Sequence, residues 1–237
     1  MGLNAHEVGE LAALAKRKGA FVAVPFSIRM SPWVHKIKDL EGPAADLSYA
    51  SFRFLSGPVS RYYQNDNPWN LKKAEAGGGC LINIGIHFPD LYFHLTGKKP
   101  KSVYAVTGND VFGEEVEDFA QVTVEMEDGA LCIIECAYVH SSAPWTPRVE
   151  FSIHSKKYQY RSLGRDGMLW SDEHGSPNYL EAPLDNGFFY PAFVADTIDA
   201  FQKGRAPIAG IEDDLAALRI VDAAYQSATQ GTVVQLS

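Results

Sequence analysis

Three consecutive glycines lead straight into an apolar segment that carries several polar groups. The run is Gly77-Gly78-Gly79-Cys80-Leu81-Ile82-Asn83-Ile84-Gly85-Ile86-His87-Phe88-Pro89-Asp90, with His94 four residues further on. The segment reads as one helix over roughly Cys80 to Leu95, stopped by Gly97. Steps of three and four residues then put Asn83, His87, Asp90 and His94 on or near one face. A polar stripe on an apolar helix is costly to bury alone. It requires a satisfied hydrogen-bond network, a metal, or a site that opens onto a ligand.

The first residues read as a helix followed by a strand. Asn4 can cap the helix, with Glu7 in capping-box position, and Val8, Leu11, Ala12 and Ala15 form an apolar face up to Gly19. Ala20 to Phe26 (AFVAVPF) is apolar throughout and predicts a strand buried on both faces, as in a parallel sheet. No parallel partner for it is recognisable in the chain. Residues 1–26 are therefore expected to be the last helix and strand of a domain whose earlier part is missing, with the main domain over 27–237.

Ser31-Pro32 starts a second helix that runs to about Leu40. Leu47 to Leu55 reads as a strand, and residues 57–70 as an ordered loop. From Lys101 the period becomes two. Strands are expected at Ser102–Thr107, at Ala120–Met126, at Ala130–Val139, around Val149, Phe151 and Ile153, and at Tyr158–Tyr160. Asp128-Gly129 suggests a two-residue type I′ hairpin. Residues 164–188 read as loop with one short strand. Two helices close the chain: Pro191–Lys203, with Val194, Ile198 and Phe201 on one side, and a helix from near Ile211 with Leu215, Leu218, Val221, Tyr225 and Ala228 as its buried stripe. The sum is α+β: an open, mainly antiparallel sheet of about four to six strands with helices on one face. Both faces of 130–139 are largely apolar, which predicts a homo-oligomer formed through the open sheet face.

Hydrophobic residues make up 46% of the 237, enough for a substantial core. The net charge of −8 argues against nucleic acid as a partner. No apolar run is long enough to span a bilayer. Cys80, Cys132 and Cys136 lie in apolar surroundings and read as reduced thiols of a cytoplasmic protein.

His87 could act as a general acid–base, because imidazole titrates near neutral pH. It could equally be a core histidine bonded to backbone. His87, Asp90 and His94 together offer metal-ligand spacing, but two ordinary hydrogen-bonded residues fit as well, and Asp90 reads as structural. Arg29 follows the first strand at its carboxyl end, where ligands bind in α/β sheets; the alternative is a surface arginine. Trp69 could wall a sugar ring or pack onto its own domain, and Tyr62, Tyr63 and Gln64 are similar candidates. Gly77–Gly79 follows no strand and lacks a later Gly-Lys-Ser/Thr, so it is not a phosphate loop.

The run GGGCLINIGIHFPDLYFHLTGKKPKSV resembles the start of the long helix in the second domain of the glucose–fructose oxidoreductase/inositol dehydrogenase (Gfo/Idh/MocA) family. The opening MGLNAHEVGELAALAKRKGAFVAVPFSIRMSP is similar to the stretch that follows the family's Glu-Lys-Pro motif, and the closing Gly-Thr-Val-Val-Gln-Leu to its ending. The resemblance implies a substrate-binding and oligomerisation α/β domain, preceded by a remnant of a Rossmann domain. It implies NAD or NADP in the complete enzyme and oxidation or reduction of a sugar or polyol hydroxyl. It implies His87 as a catalytic residue and Asn83 and Arg29 as substrate-orienting ones. G-x-G-x-x-G does not occur in the chain and the Glu-Lys-Pro lysine would precede Met1, so the chain alone is expected to bind no cofactor and to be inactive. Asn83 stands where the family often has Asp, and an amide cannot charge-stabilise an imidazolium. A non-catalytic sugar-binding or dimerisation module, and a metal-dependent enzyme using His87 and His94, are the alternatives.

Overall fold

The computed structural model describes residues 2–138 and 148–236. Helix α1 (Ala5–Lys18) begins as its capping residues require: Glu7 N–H donates to Asn4 Oδ1 at 3.0 Å, and the Glu7 carboxylate accepts from Leu3 N–H at 2.9 Å. Helix α2 (Pro32–Glu41) follows its Ser31 cap. Strand β1 (Leu47–Leu55) leads to two short helices, α3 (Ser60–Gln64) and α4 (Lys73–Ala76). After the glycines comes a π-helical turn, Leu81–Gly85, and then α5 (His87–Thr96). Strands β2 (Pro100–Gly108), β3 (Phe119–Met126), β4 (Leu131–Ala137), β5 (Arg148–Ser155), β6 (Tyr158–Ser162), β7 (Gly167–Asp172) and β8 (Asn178–Glu181) precede α6 (Tyr190–Lys203), α7 (Ile211–Gln230) and the short β9 (Val234–Gln235).

The strands form one sheet in the order β8-β7-β6-β5-β1-β4-β3-β2-β9. Every neighbouring pair is antiparallel except β1 with β4. Register places Val122, Ile134, Phe52 and Phe151 in one row across β3, β4, β1 and β5. That row faces the helices. Trp33 of α2 stacks on Phe151 with centroids 4.4 Å apart, and Phe88 of α5 stacks on Phe52 at 5.0 Å. On α7, the Ser227 hydroxyl accepts from the Ala105 N–H of β2 at 3.0 Å. The opposite face carries Arg53 between Glu135 and Glu150, with half-buried Leu131 and Ile133 nearby.

The α+β class and the mainly antiparallel sheet stand, but nine strands replace four to six. The difference comes from β7, β8 and β9 toward the two edges, while β1, expected as a strand, inserts in parallel beside β4. Ala20–Phe26 forms no strand. Its apolar side chains are used differently: Val24 and Phe26 are buried in the helix layer, and the Val24 N–H donates to the Ala209 carbonyl at 3.0 Å. Residues 57–70 contain α3 and a 3₁₀ turn, Pro68–Leu71, where a loop was expected. The β3–β4 connection is not type I′, which needs positive φ at both central residues. Only Gly129 has it, at 85°, giving the three-residue loop Glu127–Gly129 closed by Met126 N–H to Ala130 carbonyl at 2.8 Å. Residues 164–188 hold two strands, β7 and β8, where one was expected. The end of the expected 130–139 strand, Val139, lies outside the described residues. On α6 the apolar side chains Val194, Ile198 and Phe201 are all more than half exposed, and Phe193 and Ala200 face the interior instead.

Among the described residues no helix is long and apolar enough to cross a membrane. The Phe52–Phe88 stack ties α5 to the only parallel strand pair found among the described residues. Phe88→Ala should therefore cost about 3–5 kcal/mol of unfolding free energy, read by urea denaturation; a loss below about 1 kcal/mol would show that α5 is held by other contacts.

Candidate active site

Each of the three glycines is required by a close approach. A Cβ on Gly77, whose φ is 78°, would meet the Leu3 carbonyl oxygen at 2.5 Å; on Gly78, the Tyr225 hydroxyl at 2.0 Å; on Gly79, the Glu117 carbonyl oxygen at 2.0 Å. The Glu117 carboxylate accepts from Gly79 N–H at 2.7 Å, Leu81 N–H at 2.9 Å and the Tyr225 hydroxyl at 2.8 Å. Burial raises its pKa, and these donors oppose the rise. A side chain of the chain itself therefore fills the donors that a phosphate would use at a helix start. The described residues here do not fit a dinucleotide pyrophosphate.

The predicted continuous helix is a π turn followed by α5. The turn sits directly on β4, where a Cβ on Gly85 would come within 2.8 Å of Cys136 Sγ. Its polar residue is Asn83. The Asn83 amide nitrogen donates to the hydroxyls of Tyr62 and Tyr138, both at 2.6 Å. Arg61 Nη2 also donates to the Tyr62 hydroxyl at 2.9 Å, Arg61 Nη1 donates to Ser56 Oγ, and the guanidinium lies over both tyrosine rings, 4.8 and 5.4 Å from their centroids.

The parallel strand pair delivers this cluster. The ladder continues past its end through Ser56 N–H to the Ala137 carbonyl at 2.8 Å, so Ser56 and Tyr138 leave the sheet side by side. Tyr62 was among the loop aromatics set out as candidates. Ser56, Arg61, Tyr138 and Glu117 were not, because their roles arise from a long-range strand pairing without a local signature.

His87 is 8% exposed and lies edge-on to Phe26, with centroids 5.6 Å apart. Its Nδ1 is buried and has no partner among the described residues. Burial pushes its pKa down to about 4, so the ring is neutral at pH 7. Arg29 is buried and committed within the chain. Its Nε donates to Asp90 at 2.9 Å, Nη2 to Asp90 and to Asp213 (2.8 Å), and Nη1 to the Ile208 carbonyl at 2.6 Å. It is thus neither a surface arginine nor a free ligand-facing one. Asp90 is structural, its carboxylate paired with the Arg29 guanidinium. His94 is engaged by a cation: Lys38 Nζ lies 3.2 Å from its Nε2, and burial with the neighbouring cations pushes its pKa down to about 3. Among the described residues no group of three His, Cys, Asp or Glu could hold a metal. Trp69 is 48% exposed on the Pro68–Leu71 turn, outside the Asn83 cluster.

Residues 49–161 match the family model of the GFO/IDH/MocA C-terminal domain. Among curated proteins the chain is 23% identical over 174 residues to 1,5-anhydro-D-fructose reductase of Ensifer adhaerens, covering 71% of the chain and 50% of that protein. It is 28% identical over 152 residues to trans-1,2-dihydrobenzene-1,2-diol dehydrogenase of Mus musculus, covering 63% and 43%. The chain thus spans about half the length of the curated relatives it matches. Among solved structures it shares its fold with aldose-aldose oxidoreductase from Caulobacter crescentus complexed with glycerol (TM-score 0.76, 24% identity, 100% of this chain and 70% of that one). It also shares it with an oxidoreductase from Agrobacterium radiobacter in complex with NAD+, L-tartaric acid and magnesium (TM-score 0.82, 16% identity, 98% and 70%).

The folded pKa of His87 lies below the ordinary 6.5, so protonation favours the unfolded chain. Its contribution to stability is whole above the unfolded value and is lost as pH falls toward about 4. Compared with His87→Gln, the wild type should lose about 3 kcal/mol more between pH 7 and pH 4. Urea unfolding at each pH checks this, and parallel pH profiles would contradict the desolvated imidazole.

Proposed function

We propose that this chain is the substrate-binding and oligomerisation part of an NAD(P)-dependent oxidoreductase that acts on a sugar or polyol hydroxyl. The reading is carried by the Asn83 cluster, where an amide, two tyrosine hydroxyls and a guanidinium converge one turn before His87. Such a convergence of short polar groups suits a polyhydroxylated ligand, whose oxygens both donate and accept. Asn83 orients the substrate. His87, neutral at pH 7, takes or returns the proton of the reacting hydroxyl. Nicotinamide would supply the hydride chemistry of the family. Trp69 is kept as a sugar-facing residue of the exposed turn, and Arg29 acts from behind by holding Asp90 of α5. Residues 1–26 belong with the nucleotide domain, and the open sheet face, with Tyr104 and Val106 about half exposed, joins copies of the chain.

The buried Nδ1 of His87, without a partner among the described residues, favours a second reading, a sugar-binding module without catalysis, because no carboxylate among those residues bonds the ring. One experiment separates them. The purified chain is expected to show no NAD(P)-dependent turnover. Placed behind a dinucleotide-binding domain of a relative, it should oxidise a polyol, and His87→Ala should cut kcat by about 10²–10⁴. Polyol binding with no turnover in that fusion supports the module. Robust turnover by the 237-residue chain alone would overturn the division of labour.

A further inference from the structure

We infer that a cavity on the open face of the sheet, formed by β5, β6 and β7, is a second binding site, which takes a small hydroxylated carboxylate on Arg161. It shares no residue with the Asn83 cluster, and it stands whether or not the chain serves an oxidoreductase.

Strand pairing builds the cavity. Trp33 stacks on Phe151, the Tyr160 hydroxyl donates to Glu41 at 2.9 Å, and Lys36 Nζ lies 5.0 Å from the Trp170 ring centroid, so Phe151, Tyr160 and Trp170 face α2. Side chains alternate along a strand. Ser152, His154, Gln159, Arg161, Leu169 and Ser171 therefore share the opposite face. Register sets them in two neighbouring rows of three, Ser152–Arg161–Leu169 and His154–Gln159–Ser171. Gly175 and Pro177, from the connection between β7 and β8, line the same cavity, whose volume is about 260 Å³. Sites for drug-sized ligands run from about 300 to 1,000 Å³, so this one suits a molecule of a few carbon atoms. The patch proposed to join copies, Tyr104 and Val106, lies on β2 toward the other end of the sheet and leaves the cavity open.

The cavity offers a guanidinium and no carboxylate. Among the described residues no Asp or Glu lines it, although the chain carries 29 acids against 21 lysines and arginines. Glu150, on the same face of β5, is paired with Arg53 at 3.8 Å. Arg161 makes no ion pair or side-chain hydrogen bond among the described residues. The polar groups around it are held. Gln159 Nε2 donates to Ser171 Oγ at 2.8 Å, Ser152 Oγ and His154 Nε2 are 2.9 Å apart, and Tyr49 meets the His154 ring edge-on with centroids 5.7 Å apart. A guanidinium fork matches a carboxylate through two parallel N–H···O bonds. One fork matches one negative charge. The two serine hydroxyls and the second N–H of Gln159 can exchange hydrogen bonds with hydroxyls on the ligand, and Leu169 and Pro177 meet its carbon chain. An uncharged polyol would find the hydroxyl partners but leave the strongest donor unused.

Glycerate and glycerol share a hydroxylated three-carbon skeleton and differ in the carboxylate. They are the probes, with inorganic phosphate as a third. The 237-residue chain is titrated with each at constant ionic strength and followed by nitrogen-15 NMR at the backbone amides of β5 to β7, the Gln159 side-chain amide and Arg161 Nε. Glycerate should bind with a Kd of about 1–10 mM and shift these signals. Glycerol and phosphate should each bind about tenfold more weakly or less well still. Arg161→Gln should weaken glycerate binding about tenfold or more. Gln159→Glu, which sets a carboxylate beside the guanidinium, should do the same and carries the test if Arg161→Gln does not fold. Glycerol binding as tightly as glycerate overturns the inference, and so does glycerate binding unchanged in a folded variant. Phosphate as tight as glycerate shows a site that reads charge alone and also overturns it, as does the absence of any shift around Arg161 up to about 100 mM glycerate.

Discussion

The Glu117 carboxylate, bonded to Gly79 N–H, Leu81 N–H and the Tyr225 hydroxyl, is the interaction on which the site depends. It closes the donors at the start of a helix, where free N–H groups would otherwise need water or an anion. It also joins three elements. Glu117 lies just before β3, the glycines precede the π turn, and Tyr225 belongs to α7. Its backbone carbonyl further accepts from Cys80 N–H at 3.1 Å. No residue larger than glycine could stand at 78 or 79 without pushing into Tyr225 or Glu117. The glycine run is thus a packing requirement, and the polar helix it starts is placed by it.

The parallel pairing of β1 with β4 does the rest. In a sheet of antiparallel neighbours, adjacent strand ends point in opposite directions. A parallel pair brings two carboxyl ends to the same edge, the arrangement that gathers ligands in open α/β sheets. Here those ends supply Ser56 and Tyr138, and the short helix after β1 supplies Arg61 and Tyr62. The π turn seated on Cys136 brings Asn83 to the same place. π turns of this kind often mark functional positions, since the extra residue per turn re-aims a side chain.

Much of this was legible in the sequence. The two-residue alternation of Val122, Val124, Val149, Phe151 and Ile153 identified the sheet, because one face had to meet an apolar layer. The caps at Asn4, Ser31 and the Gly97 stop fixed helix ends by local chemistry. Where the pattern misled, the cause was tertiary. The apolar Ala20–Phe26 could be satisfied by side-chain packing as well as by a ladder, and periodicity does not distinguish the two. The α6 stripe of Val194, Ile198 and Phe201 was amphipathic yet faces outward. Asp128-Gly129 signalled a hairpin correctly, but one positive φ in place of two selected the longer loop. At the site, His87 and Asn83 could be picked out by residue type on an apolar helix. Tyr138 and Ser56 could not, since their neighbours in space come from a strand pairing about eighty residues apart. Arg29 had the right position for a ligand contact, but the sequence held no sign of Asp90 and Asp213 converging on it.

The most direct test of this account is amide hydrogen exchange at Gly79 and Leu81 in Glu117→Ala, with the Asn83 side-chain signals followed in the same spectra. If the carboxylate holds the helix start, protection at those two amides should fall about a hundredfold or more. The Asn83 signals should move with it, while β5 and the middle of α7 keep their wild-type protection. Unchanged exchange at Gly79 and Leu81, with Asn83 undisturbed, would contradict the central claim that Glu117 orders the turn carrying the site.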